Sequence, residues 1–225
     1  MNAGRLIIAQ LLRKPLQTVL AVVLLALGIA TLVFVVLVQG QLSRQLTRDA
    51  QGIDLVVGAK GSPLQLILSA VYHIDVPTGN VPVAAIDQLR ANRLIAQVIP
   101  VSLGDNFRGF RIVGTEPALI EHYGGRLAAG ALWTAPMQAV IGAEVALGTG
   151  LSIASTFSGA HGLIEGGAMH EESNYSVVGI LMPTGTVLDR LVITDKASVW
   201  RVHEGEPASA DERAILEAER EVTAL

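Results

Sequence analysis

From Val19 to Val38 the chain reads VLAVVLLALGIATLVFVVLV, 20 residues without a charge, and no charged side chain occurs between Lys14 and Arg44. At ~1.5 Å rise per residue such a helix spans ~30 Å, the hydrocarbon thickness of a bilayer. A helix buried in a soluble core would show a polar face over this length, and here only Thr31 and small residues interrupt the apolar run. The pattern predicts a transmembrane helix over 16–44. Ahead of it, in 1–15, Leu6, Ile7, Leu11 and Leu12 interleave with Arg5, Gln10 and Arg13. That spacing predicts a short amphipathic helix on the membrane face, ended by Pro15. A cleaved signal peptide would have an apolar region of only ~7–15 residues and small residues at its cleavage site. Val38-Gln39-Gly40-Gln41 is a poor site, so the helix reads as a retained anchor.

Beyond the anchor the pattern changes. Gln41 to Asp49 keeps a helical polarity, and Ile53 to Val57 reads as a short strand ended by Gly58. Ser62 and Pro63 are an N-cap and first-turn pair for a helix over 64–72. Pro82 opens a second helix through Ala91, with Val83, Ile86 and Leu89 on one face. Short runs rich in Val and Ile at 95–103, 107–113, 139–141, 151–157, 176–181 and 191–194 predict strands. Short helices are expected at 117–123 and 143–147, and glycines mark many of the breaks. The order of these elements predicts an α+β domain with mixed sheets over 45–206. After a polar break, Glu212 to Leu225 carries good helix formers, and 207–225 is expected to be a helical stem towards a second membrane helix.

Composition narrows the class. The chain has 225 residues, 51% of them apolar and 16% charged, against a usual quarter charged. Such a chain has ample apolar surface to bury and is not disordered. The net charge is −4, which gives no basic face for nucleic acid. There are no cysteines, so disulfides, thiol catalysis and cysteine-ligated metals are excluded. The charge is unevenly placed. Residues 1–15 carry Arg5, Arg13 and Lys14 and no acid, for +3, and the remainder carries −7. Positive charge beside a membrane helix stays in the cytoplasm. The N-terminus is therefore expected inside, and 45–206 outside, in the periplasm of a bacterium whose inner membrane the chain crosses once.

Catalytic signatures are few. Gly58-Ala59-Lys60-Gly61-Ser62 lacks the spacing of a phosphate loop and reads as a turn. No Gly-x-Ser-x-Gly elbow and no His-Glu-x-x-His is present, and the chain is expected not to be an enzyme. His73, Asp75, His161, His170 and Glu171 sit in turn or Gly-rich contexts and could together hold a metal, zinc being the ion that imidazole and carboxylate suit. Their spacing carries no positive metal signature, and the plainer reading of the same residues is as hydrogen-bonding loop side chains. Phe107, Phe110, Trp133, Phe157 and Trp200 are scattered, as packing residues are.

Several of these stretches resemble a known family. They are Asp54 to Pro63 (DLVVGAKGSP), Leu68 to Asp75 (LSAVYHID), Val140 to Ala146 (VIGAEVA), Tyr175 to Leu181 (YSVVGIL) and Pro183 to Arg190 (PTGTVLDR). With the basic N-terminus and the anchor, the chain resembles the MacB/FtsX-like permeases of ABC transport systems along nearly its whole length. The resemblance implies an α+β MacB-like periplasmic core domain after one membrane helix, with further membrane helices beyond this sequence. It implies a permease that couples a cytoplasmic ATPase to a periplasmic event by mechanical transmission. ATP would be held by the partner subunit and no cofactor by this chain. A permease dimer, membrane lipids and a periplasmic partner are the other implied contacts. Arg5, Leu6, Ile7 and Arg13 are the expected ATPase-facing residues. A membrane-anchored periplasmic metal-binding or sensing protein is the alternative.

Overall fold

The computed structural model describes residues 11–160, 169–204 and 220–225. The chain divides into two units, Met1–Thr47 and Arg48–Leu225. In the first, residues 11–13 are helical, a bend at Lys14 follows, and helix α1 runs over Pro15–Asp49. At 35 residues α1 is about 50 Å long, well beyond a bilayer's hydrocarbon core. None of its most apolar stretch is buried, and it is long and apolar enough to cross a membrane. Water is a poor solvent for that surface. A bilayer is the medium that removes it from water without a protein partner.

The second unit is α+β, as its sequence pattern leads one to expect. Helix α2 (Pro63–Ala70) is capped by Ser62, whose side chain accepts from the Gln65 N–H, with Pro63 in the first turn. Strand β1 (Val81–Pro82) and helix α3 (Ala84–Arg90) follow. Strands β2 (Ser102–Phe107) and β3 (Phe110–Thr115) form a hairpin. At its turn Arg108 and Gly109 both have positive φ, 49° and 82°, which matches the right-handed twist of the strands. Next come helix α4 (Ala118–His122), strands β4 (Leu127–Gly130) and β5 (Gln138–Ile141), helix α5 (Ala143–Thr149), and strands β6 (Thr156–Ala160) and β7 (Met169–Leu181). A 3-10 turn (Val187–Arg190) leads into β8 (Leu191–Asp195) and helix α6 (Lys196–Glu204). The main sheet has the order β4-β7-β5-β8-β3-β2-β6. β7 is long enough to pair also with β6, so the sheet closes on itself. β3–β8 and β5–β7 are parallel and the other pairs antiparallel.

Alternation along the central strands sorts side chains into two cores. Val113, Val140, Leu191 and Ile193 pack on one face with Leu119, Ile120, Trp133 and Leu188. Ile112, Ala139, Ile141 and Val192 pack on the other with Val145, Phe157, Tyr175 and Val177. Burying each Val, Ile or Leu contributes about 1.5–3 kcal/mol. Because both faces of β5 and β8 are covered, their sequences read as unbroken apolar runs. Phe157 lies 4.8 Å from the Phe107 ring and 5.4 Å from Tyr175. The aromatic residues thus serve packing.

Several expectations give way to the structure. The strand expected over 53–57 does not form. Only Val57 pairs, exchanging backbone hydrogen bonds with Leu225 at 3.0 and 2.9 Å. The strand expected over 95–103 begins at Ser102, because Pro100 supplies no N–H to a ladder and its carbonyl is taken by the Thr115 hydroxyl at 2.7 Å. The strand expected over 151–157 starts at Thr156, after a turn in which Ala154 has φ 67°. Gly104, expected as a break, lies inside β2. The helix expected over 212–225 does not reach the last residues. Glu221–Val222 form strand β9 against β1, with Val222 opposite Val81. Val222 and Ala224 are wholly buried, and the Val101 N–H donates to the Ala224 carbonyl at 2.8 Å. Burial of β-branched Val222 and Thr223 outweighs a helix propensity of a few tenths of a kcal/mol per residue. The rest of that expected helix and stem, through residue 219, lies outside the described residues.

Candidate functional site

The residue that ends α1 is a buried carboxylate in the second unit. Asp49 is 1% exposed. A carboxylate so placed must be paired, and its Oδ2 lies 3.5 Å from Nη2 of Arg190. Its backbone carbonyl accepts from the Tyr123 hydroxyl at 2.6 Å. Two residues on, the Gln51 carbonyl lies 3.0 Å from His122 Nε2. Gly52, with φ 77°, leaves room for that ring, since a Cβ there would stand 2.9 Å from His122 Cε1. The His122 and Tyr123 rings meet edge to face at 4.9 Å. Helix α4 and its cap therefore hold residues 49–52 from one side, and Arg190 holds Asp49 from another.

Arg190 is delivered by a rigid loop. Asp189 is buried and accepts from the Thr184 N–H, the Gly185 N–H and the Thr184 hydroxyl, each at 2.8 Å. The Thr186 side chain caps the 3-10 turn by accepting from the Leu188 N–H. Gly142, in the neighbouring β5–α5 connection, is required by this loop, because a Cβ there would collide with the Leu188 and Asp189 carbonyl oxygens. Residues 140–146 and 183–190 thus meet at one junction. Burial and the nearby Asp49 and Tyr72 push the Tyr123 phenol well above its ordinary value, so it remains a donor at any physiological pH.

His73 is the second constrained polar residue. It is 5% exposed and sits at φ 55°, a left-handed conformation uncommon for a side chain of this size. Burial, and then the Arg111 charge, lowers its pKa to about 3, so the ring is neutral. A hydrogen bond with the Ser69 backbone opposes that lowering, while Nδ1 is buried without a partner. Arg111 donates to the Asp75 carbonyl at 2.7 Å and so fixes the chain just beyond His73.

The expected metal set is only partly within the described residues. His73 is buried, and Asp75 turns its carboxylate back onto the Val76 N–H at 2.7 Å. His161 lies outside the described residues, and His170 and Glu171 lie on β7 with side chains outside them. Among the described residues no group of three or more His, Asp or Glu side chains could hold a metal. Of the residues expected to face an ATPase, Arg5, Leu6 and Ile7 lie outside the described residues. Arg13 is exposed on the helical turn before Lys14. Asp49, His122 and Tyr123 were not singled out by sequence reasoning. Their partners lie 71 to 141 positions away, and no local pattern announces them.

No family model matches this chain, and no curated protein matches it. Among solved structures it is similar to the periplasmic region of MacB from Actinobacillus actinomycetemcomitans, at 11% identity, over 76% of this chain and 86% of that one, with a TM-score of 0.44.

Proposed function

We propose that this chain is a membrane component of an ABC transport system of the MacB/FtsX-like permease type. In this reading α1 crosses the bacterial inner membrane with its N-terminus in the cytoplasm, and the α+β domain works in the periplasm. A separate ATP-binding subunit contacts the N-terminal segment through Arg5, Leu6, Ile7 and Arg13. The chain itself carries no catalysis and no cofactor. Two copies pair, and ATP-driven displacement of α1 reaches the periplasmic domain as mechanical work.

The observation that carries the reading is the junction at Asp49. An exposed apolar helix ends at Asp49, whose buried carboxylate faces Arg190 and whose backbone carbonyl accepts from the Tyr123 hydroxyl. A helix that served only as an anchor would need no such grip, and a flexible linker would serve it as well. A force-transmitting helix needs a stiff end, because slack in the connection would absorb a displacement of a few ångströms. The recognised stretches around Gly142 and Arg190 support the same reading, since they build the grip.

The test is co-isolation. Full-length chain carrying a photo-crosslinking amino acid at Leu6 or Ile7 is irradiated in native membranes. The reading expects a covalent adduct with an ATP-binding subunit, diminished when Arg5 and Arg13 are both changed to Glu. An adduct pattern free of any ATP-binding protein refutes it.

A further inference from the structure

A cavity of about 420 Å³ in the second unit is lined by residues 52–57, residues 94–99, Ala224 and Leu225. Three of these segments are already paired at one end. Val57 exchanges backbone hydrogen bonds with Leu225 at 3.0 and 2.9 Å, and Val101 exchanges them with Ala224 at 2.8 and 3.0 Å. Ala224 forms antiparallel bridges to both Gly58 and Val101. Residues 221–225 are therefore a middle strand with one flank on each side. Antiparallel pairing carries both flanks past Leu225, from 57 back to 53 on one side and from 101 back to 97 on the other. Those are the residues that line the cavity. No helix or strand takes up 53–57 or 97–100. Among the described residues, the backbone N–H and C=O groups of Leu55, Val56, Gln97 and Ile99 have no hydrogen-bond partner.

Hydrogen bonding alternates along a middle strand, and here Ala224 turns to Val101 while Leu225 turns to Val57. Continued in the same register, the next strand residue would stand opposite Ile99, the second opposite Leu55 and the third opposite Gln97. One extended peptide would thus meet unpartnered groups on both flanks in turn. Its side chains would alternate between two faces. Val101 and Leu119 belong to one apolar cluster and Leu89 and Val98 to another, and all four line the cavity. Leu55 and Leu94, also in the lining, are 66% and 93% exposed. A small apolar molecule would cover these side chains and leave the backbone groups unpaired, whereas a peptide strand does both. We propose that this slot binds an extended apolar segment of another polypeptide by strand addition. The segment runs in the direction of 221–225, antiparallel to 53–57 and 97–101. The proposal does not depend on the chain's partnership with an ATPase.

Disulfide trapping in the full chain, held in phosphatidylcholine nanodiscs, tests it. The chain has no cysteine, so Leu55→Cys and Gln97→Cys, both at exposed positions, each place a single thiol on one flank. The probes are peptides of four valines followed by two lysines, with one valine at a time replaced by a cysteine activated as its pyridyl disulfide. Residues that exchange hydrogen bonds across an antiparallel pair stand ~5.5 Å apart at Cα, within disulfide reach. The expected result is one preferred peptide position for each thiol. The position preferred by the thiol at 97 should lie one residue towards the peptide's C-terminus from that preferred by the thiol at 55. Methylating every valine nitrogen removes donors while keeping the apolar surface, and should lower trapping at least about fivefold, the ratio that one net hydrogen bond gives. Even trapping at all peptide positions, an offset other than one residue, no trapping, or equal trapping of the methylated peptides overturns the inference. Even trapping together with indifference to methylation would mark an apolar seat for small molecules or lipid chains instead. If circular dichroism shows that one variant has not folded, the other decides through its position preference and the methylated peptides.

Discussion

Lowering the pH should unfold the α+β domain partly through one residue, and His73→Asn should remove that part. The folded pKa of His73 is about 3 against an ordinary 6.5. Between those values the unfolded chain binds a proton that the folded chain refuses. Stability from this group is therefore complete above pH 6.5 and is lost as the pH falls towards 3. Integrating the two titrations gives about 3 kcal/mol lost between pH 7 and pH 4, at most ~1.4 kcal/mol per pH unit. Asn cannot take up a proton in this range, and it tolerates the left-handed φ of 55° better than other side chains. The assay is urea unfolding of the full chain in nanodiscs at several pH values, followed by fluorescence of Trp133, which lies in the core at 8% exposure. Other groups titrate equally in both proteins, so the informative quantity is the stability gap between them. The gap should shift by about 3 kcal/mol in favour of His73→Asn from pH 7 to pH 4. Parallel curves, with a gap constant to within about 0.5 kcal/mol, would refute the burial argument for His73.

Other consequences follow from the junction and its scaffold. Arg190→Ala leaves the Asp49 carboxylate buried with one cationic partner fewer and should cost about 1–3 kcal/mol by the same unfolding assay, discounted because Arg190 is 44% exposed. Tyr123→Phe removes the hydrogen bond to the Asp49 carbonyl and should cost about 1 kcal/mol. Gly142→Ala forces the β5–α5 connection away from the 3-10 turn and should cost about 1–3 kcal/mol, read as a fall in thermal midpoint. A chelator should leave the midpoint unchanged, since no bound metal is expected to stabilise the folded state by mass action. A fall of several degrees would bring back the metal-binding alternative.

What the sequence disclosed follows the range of the interactions involved. The apolar run of α1 and the caps of α2 are local and could be read directly. So could the doubly covered strands around Val140 and Val192, because burial on both faces writes itself as continuous apolar sequence. Long-range competition was illegible. Residues 221–225 carry helix-forming composition, yet Val222 and Ala224 are drawn into the core by Val81 and Val101, more than 120 positions earlier. Residues 53–57 and 95–99 have strand composition, yet of these only Val57 pairs, and both segments line one cavity. Within the junction, Arg190 could be noticed because its stretch was recognised, whereas Asp49 ended an ordinary polar helical turn. The burial of Asp49 depends on Arg190, Tyr123 and the loop held by Asp189, none of which is near it in sequence.

The central claim is that ATP-driven movement of α1 reaches the periplasmic domain through the Asp49 junction. The chain has no cysteine, so Leu147→Cys, at an 89% exposed position on α5, carries a single spin label. The labelled chain is reconstituted with its ATP-binding subunit, and the distance between labels in the two copies is measured without nucleotide and with ATP and vanadate. The account predicts a shift of at least about 5 Å, one helical turn of displacement, that Arg190→Ala sharply reduces. Identical distance distributions in the two nucleotide states of the unaltered chain would contradict it.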